Sequence, residues 1–251
     1  MARNDPIRAS VLVLAVAAAI VALLLVARAP AGAATDVLPD LRMARLQNLQ
    51  IQNTADGRKL LRFDSIVVNV GAGRFEVHGS RTNTSTDMTV RQRIFDTAGG
   101  SGYVDTAARM YFGGDGHNHW HVRDLEDYAL TRLDNGRKVG TGAKHGFCFF
   151  DNYPFGASQS AYYKGCGSNP AALQQSMGLS RGWGDIYWSS LPDQYIDVTG
   201  LTSGRYKLRA AADAANWFSE TNNANNFTWV DIHISGNSVS VIQWGPAARP
   251  V

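Results

Sequence analysis

Three histidines fall within five residues at His117-Asn118-His119-Trp120-His121, in a chain that holds six. Alternation along an extended segment puts all three imidazoles on one side. In a regular strand their Cα atoms stand roughly 6.6 Å apart pairwise. Three nitrogens can therefore meet about 2 Å from one ion only if the segment curves or is a loop. Gly113-Gly114-Asp115-Gly116 immediately before supplies that freedom. Three neutral imidazoles suit zinc or copper, whereas calcium and magnesium prefer oxygen. A solvent-facing strand that happens to carry histidine is the plainer reading, and the crowding of half the histidines into five residues weighs against it.

Two other metal-binding patterns can be compared with this stretch. A metallo-β-lactamase pattern needs Asp-His after the second histidine, where His121-Val122 stands. A cupin-like first motif fits the spacing of Gly113, His119, His121 and Glu126 better and would make Glu126 a ligand. Its second motif, a Pro-x-Gly followed by a histidine, is missing downstream. The cupin-like metal enzyme stays open as an alternative.

Further blocks, taken in order, resemble the catalytic domain of the lysyl oxidase family. His117-Asn118-His119-Trp120-His121 is similar to that family's copper-binding H-x-H-x-H segment. Lys144-His145-Gly146-Phe147-Cys148 resembles its K-x-x-F-C block, and Gly182-Trp183-Gly184-Asp185-Ile186-Tyr187 the segment that carries its cofactor tyrosine. Tyr195-Ile196-Asp197-Val198-Thr199 followed by Ser203-Gly204-Arg205-Tyr206 matches a further run in order and spacing. The resemblance covers roughly Asp40 to Ile234. It implies copper at His117, His119 and His121, and a lysine tyrosylquinone made from Lys144 and Tyr187. It also implies the activity of a copper-dependent amine oxidase: a primary amine, on the family pattern a protein lysine side chain, is converted to an aldehyde. Molecular oxygen is the oxidant, and ammonia and hydrogen peroxide are released. Taken singly, Lys144 and Tyr187 are better read as surface or packing residues, since lysines and tyrosines commonly are. The lysine must be neutral when it attacks an oxidised ring. His145, beside Lys144, is expected to be exposed and inert. The stretch from Lys144 to Tyr187 is somewhat longer than in the family, so the fold must decide whether the two meet. If they do not, the domain binds copper without making a quinone.

The resemblance implies a second ion as well. Pro39-Asp40-Leu41 and Glu220-Thr221-Asn222-Asn223-Ala224-Asn225-Asn226 are similar to two calcium-binding segments, with Asp40, Leu41, Glu220, Asn222, Asn225 and Asn226 as candidate ligands. Asn222 stands where the family tends to have aspartate, which removes a charge. The same segments resemble the edges of Ig-like adhesion modules, and an ordinary Asn-rich turn also accounts for the second. A secreted, non-catalytic, metal-binding Ig-like module in adhesion or copper handling is the second functional reading.

The elements that must position these groups read as strands. Leu60 through Val70 is one, ended by Gly71. Tyr128 and Leu130 alternate with polar neighbours before Asp134-Asn135-Gly136, a hairpin turn. Tyr195–Val198, Gly204–Ala212, Phe227–Ile234 and Ser238–Trp244 follow. In the third of these, Val230, Ile232 and Ile234 face one way and Trp229, Asp231 and His233 the other. Asn169-Pro170-Ala171-Ala172-Leu173-Gln174-Gln175 reads as one short helix, with Asn169 as N-cap and Pro170 in the first turn. Many short strands separated by Gly, Asn and Ser predict an all-β, Ig-like or lysyl-oxidase-like sandwich with long loops.

Residues 1–33 read as a signal peptide or an N-terminal membrane anchor. Arg3 and Arg8 precede an uncharged run from Ala9 to Ala27, and Ala31-Gly32-Ala33 fits signal-peptidase cleavage after Ala33. The uncharged run is nearly long enough to span a bilayer. On either reading residues 34–251 form one domain outside the cytoplasm, secreted or held at the cell surface. Setting aside Arg3, Arg8, Arg28 and Asp5 from 24 basic and 21 acidic residues leaves 21 and 20, nearly neutral and without a basic cluster. Nucleic acid is therefore not an expected partner, and membrane contact is expected only through the anchor. In an oxidising compartment the only two cysteines, Cys148 and Cys166, suggest a disulfide, and they match two positions that the family pairs.

Overall fold

Alternating apolar side chains close around a shared core in the computed structural model, which describes residues 33–113 and 118–251. The signal or anchor segment, Ala33 apart, and His117 lie outside the described residues. Thr35–Val251 form one compact unit. Among the described residues the elements are strands and one 3-10 turn, Asn223–Asn225, and no helix is long and apolar enough to cross a membrane. The all-β architecture expected from the turn-punctuated strand pattern is the one observed.

Among the described residues every strand pair is antiparallel, and the strands form three sheets. The largest runs Gly146–Phe147, Trp120–Arg123, Ser101–Phe112, Met88–Asp96, Phe75–Ser80, Gln174–Leu179, with Asp36–Val37 also on Met88–Asp96. A second runs Lys138–Thr141, Glu126–Arg132, Gly204–Ala212, Phe227–Ser235, Ser238–Trp244. The third is built on Lys59–Asn69, which pairs with Trp183–Tyr187, Tyr195–Asp197, Leu41–Met43 and Gln47–Asn53, while Tyr153–Pro154 extends it beyond Trp183–Tyr187. Phe63 and Val67 of the third sheet, Phe75 and Met110 of the first, and Leu130 and Leu208 of the second belong to one buried apolar cluster. Lys59–Asn69 is buried on nearly every residue, and its buried polar side chains are hydrogen-bonded: Asp64 accepts the Ser189 N–H, Ser65 pairs with the Tyr128 hydroxyl, and Asn69 donates to the Gly73 and Leu179 carbonyls.

The Phe227–Ser235 strand buries Val230, Ile232 and Ile234 and turns Trp229, Asp231 and His233 outward, as alternation demands. The hairpin at Asp134-Asn135-Gly136 joins Glu126–Arg132 to Lys138–Thr141, with Gly136 at φ +68°. One element differs from expectation. Asn169–Gln175 is not a helix: Pro170 and Ala171 make a single turn, and Gln174–Leu179 is a strand paired residue by residue with Phe75–Ser80. Asn169 Oδ1 does accept the Ala171 N–H at 2.9 Å, so the residue caps a turn. Seven residues are too few to sustain a helix alone, and six registered pairs with a core strand outweigh the cap.

Candidate functional site

The histidine segment enters the Trp120–Arg123 strand, which lies between Ser101–Phe112 and Gly146–Phe147. Trp120 faces the core, fully buried, and its Nε1–H donates to the Asn169 carbonyl at 3.0 Å. His119 and His121 therefore share the opposite side, with ring centroids 4.5 Å apart. His121 is buried and His119 partly exposed. Tyr111, directly across the ladder, sets its ring 5.5 Å from that of His121. Gly146 makes this approach possible, since a Cβ there would stand 2.1 Å from Tyr111 Oη and 3.0 Å from His121 Cγ. Two imidazoles this close can each place a nitrogen about 2 Å from one ion. Their donor chemistry fits copper. His117 lies outside the described residues, and among those described no three His, Cys, Asp or Glu side chains converge as a metal site.

Lys144 and Tyr187 come together across the fold. Lys144 is 3% exposed, with its Nζ 5.3 Å from the Tyr187 ring centroid and 5.6 Å from that of Phe147. The segment that carries it is held by the Gly142 N–H on the Tyr128 carbonyl (2.9 Å) and the Ala143 N–H on the Tyr195 carbonyl (3.0 Å). Tyr187, 5% exposed, ends the Trp183–Tyr187 strand and donates its hydroxyl to the Cys148 carbonyl. Phe147 meets its ring edge-on at 5.3 Å. Cys148 is disulfide-bonded to Cys166, whose carbonyl accepts the Trp120 N–H at 3.2 Å. One bridge thus ties the histidine strand to the acceptor of the tyrosine hydroxyl. A cavity of about 250 Å³ is lined by both His119 and Tyr187, together with Asn152, Asp185, Trp188 and Leu191.

Two buried carboxyls sit close to this pair: Asp185, which the sequence motifs do not single out, and Glu126, which they name only for the cupin-like alternative. Asp185 precedes Tyr187 by two positions on one strand and shares its face; that spacing was the available signal. Burial pushes the Asp185 carboxyl well above the usual carboxylate range, against hydrogen bonds with Tyr187 and Asn152. Burial also raises the Tyr187 phenol, helped by the charges of Asp185 and Glu126. Glu126, the carboxylate ligand of the cupin-like alternative, is engaged by other partners. Its Oε2 accepts from Tyr128 Oη at 2.6 Å and Ser65 Oγ at 3.2 Å. Burial lifts it to about 7, opposed by those two bonds and by the Lys144 charge. His145 is exposed and bonds Asp124 at 2.6 Å.

The oxygen-rich segments also meet. The Leu41 N–H donates to Glu220 Oε2, Asn226 Nδ2 to Glu220 Oε1 at 2.8 Å, and Asn225 Nδ2 to Asp40 Oδ2 at 3.2 Å. Asp40 Oδ1, Asn225 Oδ1 and Asn226 Oδ1 are buried with no hydrogen-bond partner among the described residues. These three orphaned oxygens, one of them on the Asp40 carboxylate, together with the Glu220 carboxylate form a donor set that suits a hard cation. Burial raises Asp40, and lifts Glu220 to about 8. Asn222 faces differently: its Oδ1 caps the Ala224 N–H at 3.0 Å.

Comparison with known proteins bears on the same residues. The lysyl oxidase family model matches residues 104–244, a stretch holding the histidines, Lys144, both cysteines and Tyr187. Protein-lysine 6-oxidase of Gallus gallus is 30% identical over 122 residues, 48% of this chain and 27% of that protein. Lysyl oxidase homolog 1 of Homo sapiens is 30% identical over 125 residues, 49% of this chain and 20% of its own length. Lysyl oxidase homolog 2 of Rattus norvegicus is 25% identical over 203 residues, 76% of this chain and 22% of that protein. The matched stretch thus spans roughly a quarter or less of each of these relatives. With its family model matched over more than half the sequence, the chain belongs to the lysyl oxidase family.

Proposed function

We propose that this chain is an exported, copper-dependent amine oxidase that acts on primary amines in the manner of a protein-lysine 6-oxidase. The observation that carries the reading is the approach of Lys144 Nζ to the Tyr187 ring inside a buried pocket whose cavity His119 also lines. His117, His119 and His121 would hold the copper. Bound there, copper would supply oxidising chemistry with oxygen at the Tyr187 ring, and a quinone built from Tyr187 and Lys144 would supply the carbonyl electrophile for a primary amine.

The chain's own residues do the rest. Burial excludes water from Lys144 and Tyr187, which protects an electrophile there from side reactions. The Cys148 carbonyl and Phe147 fix the plane and direction of the Tyr187 ring. Asp185, hydrogen-bonded to Tyr187 and with its proton affinity raised by burial, is placed to give or take a proton at the phenol oxygen. Calcium at Asp40, the Leu41 segment, Glu220, Asn225 and Asn226 would join the start of the domain to the loop before Phe227–Ser235 and support the core behind the site. Asn222 is left out of that set, because its side chain is committed to capping.

The test is a visible spectrum of exported protein loaded with copper, before and after phenylhydrazine. A hydrazone band is expected that disappears in Lys144→Ala and Tyr187→Phe while copper stoichiometry is unchanged. A copper-loaded wild type with no band, or a band that survives in Lys144→Ala, would overturn the quinone assignment.

A further inference from the structure

The cavity beside Tyr187 has an outer wall that the proposed chemistry does not use. Trp188 is 50% exposed, although its chain neighbours Tyr187 and Ser189 are buried. The turn that displays it is pinned from below. Ser189 N–H donates to the buried Asp64 Oδ1 at 2.6 Å, and Leu191 N–H returns to the Trp188 carbonyl at 2.9 Å. Arg62 Nη1 donates to the carbonyls of Ser189 (2.9 Å) and Leu191 (3.0 Å). The backbone that carries this half-exposed indole is thus fixed, and the side chain lines the cavity together with Leu191 and Phe150.

We propose, building on the amine oxidase reading, that Trp188 and Leu191 are the subsite for the carbon tail of the substrate. On this assignment the preferred substrate is a small monoamine with an apolar tail, n-alkyl or arylalkyl. Three observations support the assignment. The cavity, about 250 Å³, lies below the roughly 300–1,000 Å³ that holds drug-sized ligands, so one short amine fills it. Its rim is apolar, so an alkyl chain laid on Trp188 and Leu191 removes apolar surface from water on both partners. Among the described lining residues Asp185 is the one carboxyl, and it is engaged inside with Asn152 and Tyr187. The remote ammonium of a diamine would therefore reach the rim and meet no further carboxylate among the described lining residues, and would lose hydration there.

Steady-state kinetics of the copper-loaded chain with n-hexylamine, benzylamine and 1,5-diaminopentane test this directly. Trp188→Ala is expected to raise KM for n-hexylamine about tenfold. kcat should change by less than about twofold, because the lost contact is made equally in ground and transition states. Trp188→Phe should restore most of the affinity. Calorimetric titration of n-hexylamine into metal-free protein gives a readout free of the cofactor, with a negative heat-capacity change in wild type that shrinks in Trp188→Ala. An unchanged KM in Trp188→Ala, or 1,5-diaminopentane as the better substrate with the same dependence on Trp188, would overturn the subsite. The two readings fail separately. Amine oxidation indifferent to Trp188 leaves the enzyme and removes the subsite, whereas Trp188-dependent binding without a quinone keeps the subsite and removes the oxidase.

Discussion

Glu220 offers a measurement in which pH and a cation act on one buried group. In the absence of a cation, burial holds its carboxyl near 8, against 4.5 for the ordinary side chain. The native state then keeps a proton that the unfolded chain has released, over the whole interval between those values. Stability falls as pH rises wherever the native state binds more protons, so the contribution is fully present below about pH 4.5 and gone above about pH 8. At ~1.4 kcal/mol per unit, the loss between pH 5 and 8 reaches up to about 4 kcal/mol. A calcium ion touching Asp40 Oδ1, Asn225 Oδ1, Asn226 Oδ1 and the Glu220 carboxyl reverses this. The ion's charge favours the carboxylate, and the slope that belongs to Glu220 disappears. At a hundredfold excess over its Kd, the ion adds about 2.7 kcal/mol. Urea unfolding of the purified protein in a chelator and in calcium, at a series of pH values, reads both effects. Glu126 near 7 and Asp213 near 6 add slopes of the same sign. Glu220→Gln isolates the wanted part, and should be less pH-dependent than wild type in chelator and gain little from calcium. If calcium stabilises Glu220→Gln as much as wild type, or leaves wild type unchanged at pH 8, the oxygen cluster is not a cation site.

Other consequences are quickly checked. Replacing both Cys148 and Cys166 by alanine opens an 18-residue loop and should cost about 3 kcal/mol in urea unfolding; a loss below about 1 kcal/mol would mean that the denatured chain is little constrained by the bridge. Gly146→Ala forces a methyl against Tyr111 Oη and His121, so copper affinity in a chelator competition should fall; an unaltered affinity would show that the ring positions there do not matter to the ion. Glu126→Gln keeps an acceptor for Tyr128 but removes a carboxyl lifted to about 7 by burial. The variant should gain on wild type by up to ~3 kcal/mol as pH rises from 4.5 through 7, and parallel stability curves for the two proteins would sink that account.

Much of this molecule is written in local pattern. Alternation placed Val230, Ile232 and Ile234 inside, Asn135-Gly136 marked a hairpin, and the i, i+2 spacing of His119 and His121 put their rings on one side. Each follows from the two-residue period of a strand or from the backbone freedom of glycine. The short-range reading failed at Asn169–Gln175, where a local cap competed with a distant partner, Phe75–Ser80, and lost. Copper-type donors and the calcium-type segments were also legible, as residue types in order. Their convergence was not. Whether Lys144 reaches the Tyr187 ring depends on the Gly142 and Ala143 tethers, on the disulfide and on the placement of Trp183–Tyr187 beside Lys59–Asn69, none of which is a property of neighbouring residues. The raised carboxyls of Asp185, Glu126 and Glu220 depend on the same packing, because desolvation arises from everything around a group. Sequence by itself determined which groups are present and which way each faces along its strand. Tertiary structure alone decided which of them share one dry space, since only the closed core removes the water that would otherwise keep them apart.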